Sequence, residues 1–328
     1  MELSTGRVRY VVVGAGAVGG VIGGRLFESG HDVVLVARGK HLEAIRSRGL
    51  TVTSPSGSVT LPIPAVGHPV EAGLGPGDVV IVATKSQDTQ SVLEALVTAG
   101  GEGVAVVCAQ NGVRNEEAAL RRFADVYGIC VMAPTAHSEP GVVYAYSTPV
   151  TGILDVGRYP SGTDEICRTI ARDLSASTFS SVPRPDIMRW KYRKLIMNLY
   201  NALEALLGPG NWPEELTTAI GHEGEEVIAA AGIDLVSAEE DRERRGDLLT
   251  LSPVGGERRG GGSSWQSLAR GLGTIETDYL NGEIVLLGRL HGVSTPANAL
   301  LQRTAAQAAR SKAAPGSVAA EDLLALLG

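Results

Sequence analysis

The chain has few cysteines. Three occur in 328 residues, and no C-x-x-C pair is present. Cys108, Cys130 and Cys167 are odd in number, and at least two lie in apolar runs. No disulfide framework is expected, and a reducing compartment fits. Metal-ligand spacing is also absent. The six histidines are scattered, and His222-Glu223 is not followed by a second histidine at helical spacing. No metal site is expected. Positive charge does not dominate: 29 Lys and Arg face 36 Asp and Glu, a net charge of −7. That argues against a nucleic-acid partner. No apolar run is long enough to span a membrane. The uncharged stretch Tyr10 to Gly24, preceded by Arg7 and Arg9, superficially resembles a secretory signal. Its interior is too rich in glycine, and it is too short for a bilayer. No N-x-[ST] sequon occurs, and a cytoplasmic protein without a membrane anchor is expected. Lysine is scarce as well. The only ones are Lys40, Lys85, Lys191, Lys194 and Lys312, so each is worth locating.

What is present is ordinary in bulk, with 44% hydrophobic and 20% charged residues. At roughly 150 residues per domain, the length implies two domains. The first half alternates apolar β-rich runs with helical segments. Strands are expected at Arg9 to Val13, Asp32 to Ala37, Asp78 to Ala83, Gly103 to Cys108 and Val126 to Met132. Helices are expected at Val18 to Ser29, His41 to Arg48, Gln87 to Ala99 and Asn115 to Ala124. This is the β-α-β order of a doubly wound, Rossmann-type sheet. The segment Ser181-Val182-Pro183-Arg184-Pro185 reads as a linker. Beyond it the pattern is helical, with one long helix at Ile187 to Leu207. The expected division is a dinucleotide-binding domain at 1–183 and an all-helical domain at 184–328. The glycine-rich loop at 255–262 reads as a solvated connector or as a flap beside a ligand.

Gly14-Ala15-Gly16-Ala17-Val18-Gly19 is a G-x-G-x-x-G turn between a strand and a helix. In that context it is the dinucleotide fingerprint. The first glycine permits the tight turn, the second admits the pyrophosphate to the backbone, and the third lets helix and strand pack. The end of the next strand selects the cofactor. Residues 33–42 hold no acid for ribose hydroxyls, whereas Arg38 follows the strand, with Lys40 and His41 after it. A guanidinium there can pair with a 2′-phosphate, so NADP(H) is the expected cofactor. The other reading of Arg38 is a surface arginine. Polar groups also follow two further strands, at Thr84-Lys85-Ser86-Gln87 and Gln110-Asn111-Gly112. Trp190, Lys194 and Asn198 share one helix face. By periodicity alone, that stripe reads as a solvated face.

Taken together, these segments resemble the ketopantoate reductase (2-dehydropantoate 2-reductase) family over nearly the full length. The resemblance is carried by G-A-G-A-V-G at 14–19, V-V-L-V-A-R-G at 33–39, A-T-K-S at 83–86 and Q-N-G-V at 110–113. W-K-Y-R-K-L-I-M-N at 190–198, S-S-W-Q-S-L-A-R-G at 263–271, E-T-D-Y-L-N-G at 276–282 and G-V-S-T-P-A-N at 292–298 complete it. It implies NADPH-dependent reduction of a 2-oxo acid, ketopantoate to pantoate, in pantothenate biosynthesis. It assigns Lys194 as general acid and Glu276 as the catalytic-site glutamate. Ser264, Asn198 and Asn201 fall on the substrate side. Gly14, Gly16, Ala17, Val18, Gly19, Arg38, Lys85 and Asn111 fall on the cofactor side. Trp190 stands two residues further from Lys194 than in the family pattern. Two positions on the substrate side also depart from it. Gly261 and Ala202 stand where the family usually has asparagine, and Asn201 lies one residue early. These two departures concern substrate identity rather than reductase chemistry. The competing readings are a related reductase of another carbonyl or imine substrate, and a non-catalytic NADP(H)-binding protein. The expected partner is a small 2-oxo acid, and the sequence leaves a homodimer open.

Overall fold

The computed structural model describes residues 8–210 and 212–327; Arg7 lies outside them. Two compact units result. Unit 1 comprises the residues up to Met188 together with Glu239–Arg259, and unit 2 comprises Arg189–Ala238 and the residues from Gly260 onward. The sequence-based division placed one boundary at 183/184 and did not foresee the return of residues 239–259 to unit 1.

Unit 1 begins with β1 (Arg9–Val13), α1 (Ala17–Glu28), β2 (Asp32–Val36) and α2 (Gly39–Arg48). An antiparallel pair, β3 (Leu50–Ser54) and β4 (Gly57–Leu61), precedes β5 (Ala65–Val66). Then come β6 (Val79–Val82), α3 (Thr89–Thr98), β7 (Ala105–Cys108), α4 (Asn115–Leu120) and β8 (Val126–Met132). The first part of unit 1 closes with β9 (Thr135–Glu139), β10 (Val142–Ala145), β11 (Ser147–Pro149), β12 (Ile153–Arg158) and α5 (Glu165–Ala176).

The main sheet runs β12-β8-β7-β6-β1-β2-β5. All its pairings are parallel except β12 against β8. The central strands are Val- and Ile-rich, and every residue of β6, β7 and β8 is buried, as a sheet covered on both faces requires. The order reverses at β1, where β2 lies on one side and β6 on the other. That switch point is where doubly wound sheets bind ligands, beyond the carboxyl ends of the strands. A second sheet, β4-β3-β10-β9, packs on α1. Cys108, Cys130 and Cys167 are all buried, none is in a disulfide among the described residues, and burial pushes the Cys167 thiol up to about 11.

Residues 180–184 are not a free linker. Leu154 and Val156 donate backbone N–H groups to Ser180 and Val182, and Arg184 N–H donates to Val156. The segment therefore lies as an edge against β12. Pro183 and Pro185 suit such a place, where missing N–H groups break no ladder.

α6 (Ile187–Asn198) leads into unit 2. The long helix expected at 187–207 breaks at Leu199, and α7 (Tyr200–Leu207) follows. The later helices are α8 (Glu214–Ala230), α10 (Ser263–Ala269), α11 (Asn281–His291), α12 (Pro296–Arg310) and α13 (Ala320–Leu327). Between α8 and α10 the chain returns to unit 1 as α9 (Ala238–Arg245) and β13 (Leu249–Leu251), which pairs with β11. Arg244 secures that return through a double hydrogen bond to buried Asp155, at 2.6 and 2.8 Å. Val254 and Glu257 exchange backbone hydrogen bonds around Gly255 and Gly256, so the 255–262 loop opens with a tight turn. No helix among the described residues is long and apolar enough to cross a membrane.

Candidate active site

In unit 1 the glycine turn is pinned to β2. The N–H groups of Gly14 and Ala15 both donate to the Val36 carbonyl, at 3.0 and 3.3 Å. Gly14 has a φ of +97°, and a Cβ there would lie 2.7 Å from the Thr84 side chain. The first α1 bond runs from Gly20 N–H to the Gly16 carbonyl at 2.7 Å. The N–H groups from Gly16 to Gly19 therefore precede the intrahelical ladder. With the helix dipole they form an anion site.

Two glycines of the turn have different physical reasons. A Cβ on Gly19 would strike the Gly14 carbonyl oxygen and lie 2.8 Å from the Ala83 side chain. A Cβ on Gly16 would meet nothing within 4 Å. Protein packing does not require glycine at 16, and the open space leaves room for a ligand to approach the backbone closely. A dinucleotide pyrophosphate fits this cradle.

Arg38 caps α2 at the carboxyl end of β2. It is exposed, like Lys40. His41 follows, half-buried and bonded to both Ala15 and Gly141. The loops after β6 and β7 are stitched together. Gln110 Nε2 donates to the Thr84 carbonyl and to Thr89 Oγ1, and Thr89 donates to Asn115 Oδ1. Asn115 Nδ2 and Ser86 Oγ both donate to the Asn111 carbonyl. This network orients the backbone that carries half-buried Lys85 and Asn111. Asn115 and Thr89 were not singled out from sequence, since neither terminates a strand.

In unit 2, Lys194 is half-buried on α6, while Asn198, Trp190 and Lys191 are buried. The break after Asn198 is held by a polar seam. Asn281 Nδ2 donates to the Leu199 carbonyl at 3.0 Å and to Asn298 Oδ1 at 3.0 Å. Asn298 Nδ2 donates to Glu223 Oε2 at 2.8 Å. The Glu223 carboxylate in turn accepts the Ala297 and Asn298 N–H groups at the start of α12. Asn281 and Asn298 are fully buried. Their placement inside otherwise apolar helical segments was the available signal.

Ser264 on α10 is buried, and its Oγ has no hydrogen-bond partner among the described residues. Glu276 is also buried, in a short 3-10 turn. Glu204 accepts from Gly262 N–H at 2.7 Å, and Asn201 Oδ1 lies 3.3 Å from where a Gly262 Cβ would be. The structure thus brings Asn201 to the residues that open α10, two positions before Ser264. At Gly261 a Cβ would lie 2.5 Å from Trp265 Cγ, and at Gly260 it would lie 2.8 Å from the same indole. The Trp265 ring covers this glycine pair.

A Rossmann-type unit whose glycine turn suits a phosphate, continued by a helical unit, fits the class of two-part nucleotide-dependent enzymes. The family models are more particular. Residues 10–160 match the ketopantoate reductase PanE/ApbA model, and residues 186–309 match its C-terminal model. The chain belongs to the ketopantoate reductase family, oxidoreductases that use a nicotinamide cofactor. It is 28% identical over 303 residues to the 2-dehydropantoate 2-reductase of Pyrococcus horikoshii, covering 90% of this chain and 95% of that one. It is 30% identical over 307 residues to that of Archaeoglobus fulgidus, covering 89% and 95%. A crystal structure of a PanE/ApbA family ketopantoate reductase from Ralstonia eutropha JMP134 superposes with a TM-score of 0.77 at 29% identity, covering 92% of this chain and 99% of that one. A D-mandelate dehydrogenase solved with NADH and anilino(oxo)acetate shares the fold, with a TM-score of 0.77 at 23% identity and coverage of 92% and 99%.

Two predictions follow from this geometry. Gly16→Ala should leave the urea midpoint nearly unchanged but weaken dinucleotide binding, whereas Gly19→Ala should lose about 1–3 kcal/mol of stability. Equilibrium unfolding and a binding titration on both variants check the contrast. Asn298→Ala should cost about 3 kcal/mol, because it leaves the Glu223 carboxylate and the Asn281 amide short of partners. Urea unfolding reads that loss directly.

Proposed function

We propose that the chain is an NADPH-dependent reductase of a 2-oxo acid, with 2-dehydropantoate to pantoate as its first candidate reaction. The observation that carries the reading is the Ser264 hydroxyl. It is 1% exposed, and its Oγ is without a partner among the described residues. An unsatisfied buried hydroxyl costs on the order of 1–3 kcal/mol. A substrate carboxylate oxygen accepting its hydrogen bond removes that cost. In this reading, unit 1 binds the cofactor and unit 2 carries the substrate and the proton donor.

When bound, the reduced nicotinamide supplies a hydride to the C2 carbonyl carbon. The Lys194 ammonium stabilises the charge that develops on the carbonyl oxygen and gives that oxygen a proton. The neutral amine then regains its proton from solvent. Asn198, one helical turn on, orients the ammonium or the substrate. Glu276 balances the lysine charge and accepts a hydrogen bond from the new hydroxyl. Ser264 and Asn201 hold the substrate carboxylate. On the cofactor side, the N–H groups from Gly16 to Gly19 would hold the pyrophosphate. Arg38 would pair with the 2′-phosphate, and Lys85 and Asn111 would lie near cofactor and substrate.

A second reading, reduction of a different 2-oxo acid or a related carbonyl compound, is favoured by one feature. The Trp265 indole covers Gly261, so an asparagine side chain there requires the ring to move. Ala202, at the other departure, is buried.

Steady-state NADPH oxidation across a panel of 2-oxo acids, ranked by kcat/KM, separates the two readings. Tight NADPH binding with no turnover on any member points instead to a non-catalytic binding protein. Lys194→Ala should lower kcat about 10²- to 10⁴-fold. Lys191, buried three residues earlier, is the internal comparison. If Lys191→Met loses turnover while Lys194→Ala keeps it, the acid is Lys191. Arg38→Ala should raise the KM for NADPH about ten- to a hundredfold, with little change for NADH. Equal loss for both cofactors removes the 2′-phosphate assignment.

A further inference from the structure

We propose that His41 is a positioning residue for the cofactor: it fixes the Ala15–Gly16 peptide so that the Gly16 N–H faces the dinucleotide pyrophosphate. The inference rests on reading unit 1 as a dinucleotide site, and it adds a residue that neither the glycine turn nor the phosphate arginine supplies.

His41 is the third residue of α2, close behind Arg38. Its Nε2 donates to the Ala15 carbonyl at 2.7 Å. Its Nδ1 accepts from the Gly141 N–H at 2.9 Å. An Nδ1 that accepts from a backbone N–H carries no proton, so the ring proton sits on Nε2. The tautomer is therefore set by Gly141, and it is the one able to donate to Ala15. Burial holds the ring's pKa below the ordinary histidine value, which keeps Nδ1 an acceptor. The His137 ring packs beside it, with centroids 4.2 Å apart.

The anchor on the far side is itself built. Gly141 sits in the β9–β10 turn with a φ of +85°. The Pro140 carbonyl of the same turn accepts from Arg48 Nη2 at 2.9 Å. α2 thus grips this turn near both of the helix's ends and reaches the glycine loop through one ring.

The consequence for the loop follows from peptide geometry. In a trans peptide, the carbonyl and the following N–H point in opposite directions. Holding the Ala15 carbonyl on His41 turns the Gly16 N–H away from the histidine. Gly14 and Ala15 already donate to Val36, so Gly16 supplies the first N–H open to an anion. Without the histidine, Gly16, which flanks this peptide and has no Cβ, lets it rotate. A rotated peptide presents its carbonyl oxygen, which repels phosphate. One helix then reads two phosphate groups, with Arg38 on one and His41, through the backbone, on the other.

The test compares wild type, His41→Leu and His41→Gln, with NADPH and adenosine 2′-monophosphate as probes. His41→Leu should raise the Kd for NADPH about tenfold. His41→Gln, whose amide nitrogen takes the place of Nε2, should bind NADPH close to wild type. Adenosine 2′-monophosphate has no pyrophosphate, so it should compete equally well in all three. Wild-type NADPH affinity in His41→Leu overturns the proposal. So does a matching loss of adenosine 2′-monophosphate affinity, which marks a general loosening of α2. So does a His41→Gln variant as weak as His41→Leu. If wild type itself binds neither NADPH nor NADH, the dinucleotide reading fails and this proposal falls with it.

Discussion

The structure of unit 1 depends on how closely α1 approaches the two layers beside it. Four glycines on this helix make that approach possible. Cβ atoms on Gly19 and Gly23 would press on Val12, Ala83 and Leu35 of the main sheet and the loop that follows β6. Cβ atoms on Gly20 and Gly24 would press on Val143 and Val52 of the second sheet. The helix is therefore held between sheets by backbone contact on both sides. Side chains at these positions would push it outward and carry the N-terminal N–H groups away from the β1–β6 switch point. Glycine costs helix stability, roughly 0.5–1 kcal/mol per residue relative to alanine. The dispersion contact with well-packed Val and Leu side chains offsets that cost. A phosphate-binding helix start needs a fixed position, and here packing supplies it.

Unit 2 solves a related problem with buried polar groups. The Leu199 carbonyl stands at the junction where one helix ends at Asn198 and the next begins at Tyr200. Asn281, 82 positions away, meets that carbonyl, and Asn298 and Glu223 complete the chain of bonds. Removing one member of such a network costs much. The seam meets the chain directly after α6, whose last turn carries Lys194 and Asn198. The seam is thus structural support for the face that the proposed chemistry uses.

The main sheet was legible in the sequence because parallel strands buried on both faces leave continuous Val and Ile runs, as at 79–82 and 126–132. The glycine turn was legible because its strand and helix flank it directly. What escaped depends on distant partners. Leu199 is a good helix former, and nothing near it announces a break that Asn281 holds. β11 and β13 are three residues each, too short for any alternation, and they find each other across about a hundred residues. The return of 239–259 to unit 1 rests on Arg244 and Asp155, an ion pair that no local pattern encodes. The linker reading failed for a similar reason. Pro183 and Pro185 look like breakers, but here they occupy an edge that tolerates missing donors. At the candidate site, residue types and order could be read. The state of Ser264, buried without a described partner, could not, because burial is a tertiary property.

The two substrate-side departures from the family pattern take on physical meaning in this light. Gly261 is not an asparagine site that has lost its side chain and left a gap. The Trp265 indole lies where that side chain would begin. The exchange replaces a hydrogen-bonding amide with a flat apolar surface beside the opening of α10. Ser264 and Glu276 are untouched by it, since both are buried on their own elements. Under the proposed function, the groups that bind a carboxylate and handle the proton are separable from the groups that recognise the rest of the substrate. A polar substituent on the substrate loses a partner at this wall, while an apolar one gains contact area. Under that function, reaction type and substrate identity rest on different residues of unit 2, and Gly261 and Ala202 belong to the second set.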